Sequence, residues 1–273
     1  GLVRGCACRG TAGFAHVSCL AEQAKILVAE AEENNLDVES RWNRWCSCSL
    51  CEQQYHGVVR CALAWACWKT YLGRPERDWN RRGAMTQLGN GLSSAEHDEA
   101  ALIVKVADLS MHRRLGAAEL NILVAQGNLA NTYSDLGRFE QALSLKRDVY
   151  LGTLKLGGEE HGETIREAIC YTSTLLDLRR FKEAKTLSRK TTPVARRVLG
   201  ETHQFTLQMR TNYARALYMD HDATLEDLCE AMETLEDLEP TARRVLGGSH
   251  PLTTDIRHDL HKTRERRSAP AKR

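Results

Sequence analysis

The sequence predicts a mainly α-helical protein: a small cysteine-rich domain at the N-terminus, then an α-solenoid of helical hairpins. Three observations carry this expectation. Eight of the ten cysteines fall within the first 67 residues, and several stand in close pairs. From about residue 80 onward, a pattern of paired amphipathic helical stretches recurs with a period of 42 residues. The bulk composition is that of an ordinary soluble chain, with 42% hydrophobic and 27% charged residues and a net charge of +2 over 273 residues. That length allows one or two domains. The near-neutral balance gives no global pull toward nucleic acid or membrane, so neither is an expected partner. No run of about 18 apolar residues marks a transmembrane helix, and no signal peptide is visible.

The cysteine-rich segment comes first. "CACRGTAGFAHVSCL", residues 6–20, holds Cys6-x-Cys8 and then, seven residues on, His16-x-x-Cys19. Such close neighbours act as pairs, and each pair needs two more ligands. "RWCSCSLCEQQYHG" supplies Cys48-Ser-Leu-Cys51. A Cys-x-x-Cys turn puts two thiolates on one metal, with Zn–S near about 2.3 Å. Joined to Cys6 and Cys8, it makes a four-cysteine site. A secreted disulfide scaffold is the alternative for such a cluster. The C-x-C and C-x-x-C spacings with a histidine between them favour Zn2+ in a reducing compartment. An intracellular location follows, cytoplasmic rather than nuclear.

Written out, the ligand order is C-x-C-x7-H-x2-C-x28-C-x2-C. It resembles the RING-CH (RING-variant) zinc domain over about the first 55 residues. The resemblance implies a cross-brace, with Cys6, Cys8, Cys48 and Cys51 on one zinc and His16 and Cys19 as half of a second site. The pair that would complete the second site should precede Cys6, where only "GLVRG" stands, so the chain is expected to begin inside the zinc domain. Three other readings stay open: His16 and Cys19 are simply buried, Cys46 or His56 is a local substitute, or Cys46 swaps into the complete site. The sequence departs from the family in having Gln23 where a tryptophan is common and a long spacer containing the acidic "AEAEENNLDVES". Sites of this kind are structural, because four protein ligands leave no place for an activated water.

Residues 57–72, "GVVRCALAWACWKTYL", read as a helix. Its Trp65 and Trp68 share a face and are expected to pack the zinc domain onto the helices after it. Cys61 and Cys67 read as core thiols. "GRPERDWNRRG", 73–83, marks a boundary or tight junction.

The repeat comes next. Ala100, Ala142 and Ala184 are spaced by 42, as are Gly116, Gly158 and Gly200, and Glu119, His161 and His203. Asn128, Cys170 and Asn212 keep the same period. One more copy, through Ala231 and "ARRVLGGSHP", is displaced by 47, with the five additional residues near "MDHDATLED". Insertions belong in loops. In the unit from residue 119, Leu123, Leu129, Ala130 and Tyr133 define one helix. After a turn at Gly137, Phe139, Ala142, Leu143 and Leu145 define the second. These residues and the "LG..H" junctions resemble the tetratricopeptide repeat, in particular the 42-residue type of kinesin light chain, over roughly residues 80 to 265. The final "PLTTDIRHDLHKTRERR" reads as a lone capping helix, polar outward. His161, His203 and His250 read as turn-capping residues. The basic end of the chain reads as a solvated tail.

The expected organisation is therefore a partial RING-CH-like zinc domain (1–56), a connecting helix and junction (57–79), a tetratricopeptide-like solenoid with a capping helix (80–266) and a basic tail (267–273). In the tetratricopeptide family, the position after the small residue of the first helix commonly reaches a bound peptide. That implies Asn131 and Arg215 as groove residues, with Asn128 and Asn212 one turn earlier. An asparagine amide can hold a peptide backbone, and an arginine can pair with a carboxylate. The alternative is that these polar groups only tie neighbouring helices together. Neither a catalytic constellation nor a phosphate-binding glycine loop is present. Two function classes remain. In a ubiquitin ligase, the zinc domain would recruit a ubiquitin-conjugating enzyme and the repeats would bind substrate. In a non-enzymatic scaffold, the zinc module would be purely structural and the repeats would bind protein or peptide partners.

Overall fold

The structure, a computed structural model, describes residues 1–268. Most of the basic tail expected at 267–273 therefore lies outside the described residues. Twelve α-helices account for most of the described chain: α1 (Val17–Glu33), α2 (Val38–Trp42), α3 (Gly57–Tyr71), α4 (Trp79–Ser94), α5 (Asp98–Arg114), α6 (Glu119–Asp135), α7 (Phe139–Gly157), α8 (Gly162–Asp177), α9 (Phe181–Leu199), α10 (Gln204–Tyr218), α11 (Leu225–Leu246) and α12 (Pro251–Ser268). A 3-10 turn follows α2 at Asn43–Trp45. Two isolated β-bridges, Val3 to Ala15 and Ser47 to Gln54, are the only extended pairing among the described residues. The chain forms two compact units, Gly1–Gly137 and a second beginning at Arg138.

In the first unit, α1 turns Ala24, Val28 and Ala31 inward, the i, i+4, i+7 stripe of an amphipathic helix. Ala24 and Val28 share a core with Trp42, Trp45, Cys67, Tyr71 and Ala84. Helix α3 is buried on several sides. Val59 and Leu63 meet the cysteine loops, while Cys61 joins Leu88, Leu92 and Ala101 of α4 and α5. Both cysteines of α3 are core thiols, as expected. Trp68 packs between two of these clusters. Trp65 does not pack as expected: it is 43% exposed, because α3 buries its other faces. Arg74, in the turn after α3, makes a bidentate pair with Glu32 of α1 at 2.7 and 2.8 Å. Asp78 in the same turn caps α4 by accepting from the Arg81 N–H at 3.0 Å.

The repeat periodicity is realised as helices, with one shift. Ala142 and Ala184 are each the fourth residue of their helices and have no exposed surface, and Ala231 is equally buried. In the first copy the buried position belongs to Ala101, not Ala100, which is exposed. The reason lies at the helix end. Helices α7, α9 and α11 end directly on Gly158, Gly200 and Gly247, each with positive φ. Helix α5 ends one residue before its glycine, in a Schellman motif where the Ala117 N–H reaches the His112 carbonyl at 3.0 Å and the Gly116 N–H reaches Arg113 at 3.2 Å. That termination shortens the distance from the buried alanine to the glycine by one residue.

The five additional residues of the last copy divide between loop and helix. The α10–α11 connection spans 219–224 where α8–α9 spans 178–180, and α11 has 22 residues against 19 in α9, while α10 has 15 against 16 in α8. A capping box between Thr224 and Asp227 starts the longer helix. His161, His203 and His250 cap α8, α10 and α12 as expected. Each Nδ1 accepts a backbone N–H two residues on, from Glu163 at 3.3 Å, Phe205 at 3.1 Å and Leu252 at 3.2 Å. Helix α12 covers α11 with Leu252, Ile256 and Leu260 and leaves Arg257, His258 and His261 outward.

Candidate functional site

Two short loops build the N-terminal cluster. The first carries Cys6 and Cys8 and is closed by reciprocal backbone bonds between Val3 and Ala15, at 2.9 and 3.0 Å. The second carries Cys48 and Cys51. Here the Cys48 N–H donates to Gln53 at 2.9 Å and the Glu52 N–H returns to Cys48 at 3.0 Å. The His56 N–H donates to the Gly5 carbonyl at 2.8 Å and binds the two loops together. As a result, one sulfur from each of the four cysteines lies within 4.8 Å of all the others. The Cys8 and Cys48 sulfurs are 3.8 Å apart, about the edge of a tetrahedron with bonds of about 2.3 Å to a central zinc. Gly13, at φ +76°, closes the first loop against its own cysteines. A Cβ there would stand 2.6 Å from the Cys8 Cβ and 3.0 Å from the sulfurs of both Cys6 and Cys8.

The electrostatics match the geometry. Burial pushes the Cys6 thiol up. Burial and the neighbouring thiols of Cys51, Cys6 and Cys48 push Cys8 up to about 12. At Cys48 burial is outweighed by the backbone N–H groups of Cys51 and Leu50 and by the Cys6 and Cys8 thiols, and the thiol falls to about 7. The Leu50 N–H lies 3.4 Å from its sulfur. A soft divalent ion would deprotonate all four, and four thiolates in a tetrahedral arrangement suit zinc.

His16 and Cys19 stand apart from this cluster. His16 is the N-cap residue of α1, and its Nδ1 is 4.0 Å from the Cys19 sulfur. Both side chains are exposed, so neither is a core residue. Among the described residues, no third metal-ligating side chain joins them. Cys46 does not swap into the four-cysteine group either. It is buried, with its thiol 3.4 Å from the Asn43 carbonyl.

The four polar repeat residues divide by unit. Asn131 is exposed on α6 and Asn128 is half-buried one turn earlier. Asn212 has no exposed surface. Its amide nitrogen donates to Ser173 Oγ at 3.1 Å and the Ile169 carbonyl at 3.5 Å, and its oxygen accepts from Gln208 at 3.2 Å. Arg215 pairs with Asp259 at 2.6 Å and Asp255 at 3.3 Å, and the Tyr218 hydroxyl donates to the same Asp259 at 2.7 Å. Asn212 and Arg215 therefore tie α8, α10 and α12 together.

The tetratricopeptide repeat family model matches residues 122–161. Among solved structures, nearly identical TPR-like repeats assigned to a kinesin light chain of Podosopora anserina superpose with a TM-score of 0.58 at 16% identity, covering 84% of this chain and 97% of that one. A single-substitution form of the same protein gives 0.57 at 18% identity, covering 85% and 98%. The apo form of RapI gives 0.52 at 11% identity, covering 92% and 83%. No curated protein sequence matches the chain. The fold is a kinesin light chain-like tetratricopeptide fold. The family match lies within the repeats. The N-terminal segment is marked by its cysteine cluster alone, and a RING-CH assignment is not established.

Inside the tetratricopeptide array, sequence reasoning missed two sets of buried polar groups. Helix α5 buries Ala101, Lys105, Asp108 and His112, and α12 buries Leu252, Ile256, Asp259 and Thr263. Both sets have helical i, i+4, i+7, i+11 spacing. The available signal was a charged residue standing in register with an apolar stripe.

Proposed function

We propose that this chain is a protein-interaction scaffold whose tetratricopeptide repeats bind a protein or peptide partner and whose N-terminal loops are held by one structural Zn2+. The observation that carries the zinc part is the convergence of Cys6, Cys8, Cys48 and Cys51 from two loops 40 residues apart in sequence. With all four positions taken by protein thiolates, such an ion would stabilise the fold and supply no open site for catalysis. For the repeats, support comes from the fold and from the free polar face of α6, where Asn131 and Asn128 offer amide donors and acceptors to an extended backbone.

Affinity purification with the full chain tests the repeat part by comparing wild type with the Asn128→Ala/Asn131→Ala double variant. Loss of specific partners, at unchanged zinc content and thermal midpoint, is the expected result. Unchanged recovery removes α6 from the interaction. A ligase role adds docking of a ubiquitin-conjugating enzyme on residues 1–56, with His16 and Cys19 in a second zinc site. The ligand order of the segment is what supports it. Autoubiquitination across a panel of conjugating enzymes, with Cys48→Ser as the control, separates this reading from the scaffold.

A further inference from the structure

Helix α5 places three polar side chains where a helix packed between neighbours ordinarily places apolar ones. Lys105 finds two hydroxyl partners, Ser93 and Thr132. Asp108, 2% exposed, accepts from Thr86 of α4 at 3.0 Å on one oxygen, and its other oxygen stands 3.5 Å from His112 Nε2. His112 is 8% exposed, and its Nδ1 is buried with no hydrogen-bond partner among the described residues. Buried polar atoms are nearly always satisfied, so an orphan of this kind calls for an explanation. A second orphan lies nearby. Arg82, one turn before Thr86 on α4, has a buried Nε without a partner, and no ion pair involves its guanidinium among the described residues.

His112 and Arg82 line one cleft of about 390 Å³, within the range of small-molecule sites. Its other walls include Glu39 and Trp42 of α2, Trp79 at the start of α4, and the amides of Gln87 and Asn121. The two indoles meet edge to face with centroids 4.9 Å apart, and Trp79 is 46% exposed. Gly83 makes this wall possible, since a Cβ there would come within 2.8 Å of the Trp42 ring. Burial raises the Asp108 carboxyl, against the lowering effects of His112 and Thr86. Asp108 Oδ1 is likewise buried without a hydrogen-bond partner, and the Nδ1 tautomer of the His112 ring presents an N–H donor to a ligand in the cleft.

We infer that this cleft is a binding site for a small planar aromatic carboxylate, with the ring against Trp79 and the carboxylate on Arg82 and His112. An unpaired guanidinium fork matches a carboxylate in bidentate geometry, and a buried imidazole N–H adds a second, directional donor. The flat apolar wall selects a ring. Helix α2 walls the cleft, which suits a compact ligand better than a chain running through it. This site is separate from the cysteine cluster and adjoins the α6 partner face, since Asn121 and Val124 lie on the helical stripe that continues to Asn128 and Asn131.

The test uses the full chain and two probes of one shape, 2-naphthoate and its uncharged amide, 2-naphthamide. Tryptophan fluorescence and calorimetry read binding, and ¹H–¹⁵N spectra locate it through the Trp79 indole N–H. Naphthoate is expected to bind at least about tenfold more tightly than the amide, the margin a charge-assisted contact supplies. Arg82→Gln is expected to remove that preference, and Trp79→Ala to weaken both probes together. Arg82→Lys, which keeps the charge and loses the fork, serves if Arg82→Gln does not fold, and is expected to lose most of the preference. The inference is overturned if naphthoate fails to saturate at millimolar concentration, if the amide binds equally well, if the folded arginine variant keeps the preference, or if the Trp79 signal does not move.

Discussion

Replacing Lys105 with methionine should stabilise the protein at neutral pH and destabilise it at high pH. The Lys105 side chain is almost fully buried, and its ammonium donates to Ser93 at 2.8 Å and Thr132 at 2.7 Å. Burial lowers its pKa from 10.5 to about 8, against weak opposing fields from Asp135 and Asp98. At about 1.4 kcal/mol per pH unit, that fall means the folded state carries a penalty of roughly 3 kcal/mol at pH 7, where the lysine is protonated in both states. Methionine removes the penalty and fills similar volume. It also removes two hydrogen bonds worth about 1 kcal/mol each. The two hydroxyls lie 3.3 Å apart and can bond one another, so the net gain at pH 7 should be about 1–2 kcal/mol. The sign reverses with pH. Between about 8 and 10.5 the unfolded chain keeps this proton and the folded chain does not, so wild type gains stability as pH rises while the variant does not. By pH 10 the variant should be the less stable by about 0.5–1.5 kcal/mol. Urea unfolding of both proteins at pH 7, 8, 9 and 10, with thiols reduced and zinc fixed, isolates this group because every other titration cancels in the difference. A difference that stays flat across that range would refute the assignment of a desolvated lysine.

Other outcomes can be checked alongside. The dialysed protein should retain one zinc per chain by atomic absorption. Cys48→Ser should lose the metal and Cys46→Ser should keep it, because only Cys48 belongs to the four-sulfur group; equal zinc in both would discredit the cluster. Gly13→Ala must hold φ +76° and crowd the Cys6 and Cys8 thiols. It should cost about 1–2 kcal/mol and weaken zinc retention in a chelator competition, and unchanged retention would argue against the close approach. Arg215→Ala leaves the Asp259 carboxylate, 3% exposed, without its cation. A loss of about 3–5 kcal/mol in denaturant melts is expected, largely recovered in Arg215→Ala/Asp259→Leu. A single-variant loss below about 1 kcal/mol would place the pair in effective contact with solvent.

The sequence by itself determined the helical repeat, its capping histidines and the four converging cysteines. All of these rest on short-range rules: a 3.6-residue turn, a glycine where φ is positive, a ligand pair fixed by a tight loop. Even the shift from Ala100 to Ala101 has a local cause, since α5 ends in a Schellman motif and α7 does not. What the tertiary structure decided was the fate of each polar residue on a helix face. Asn128 and Asn212 occupy the same repeat position, yet only Asn212 is fully enclosed, where α8 presents Ser173 and the Ile169 carbonyl to its amide. Arg215 reads as a groove cation until Asp259 arrives from the last helix, 44 residues later. Lys105, Asp108 and His112 look like a polar face interrupting an apolar one, and only the packing of α4 and α6 around α5 encloses them. Periodicity fixes which way a side chain points along its own helix. Whether it then meets water, a partner or an empty cleft depends on the neighbouring helices, and that choice sets the sign of its contribution to the free energy.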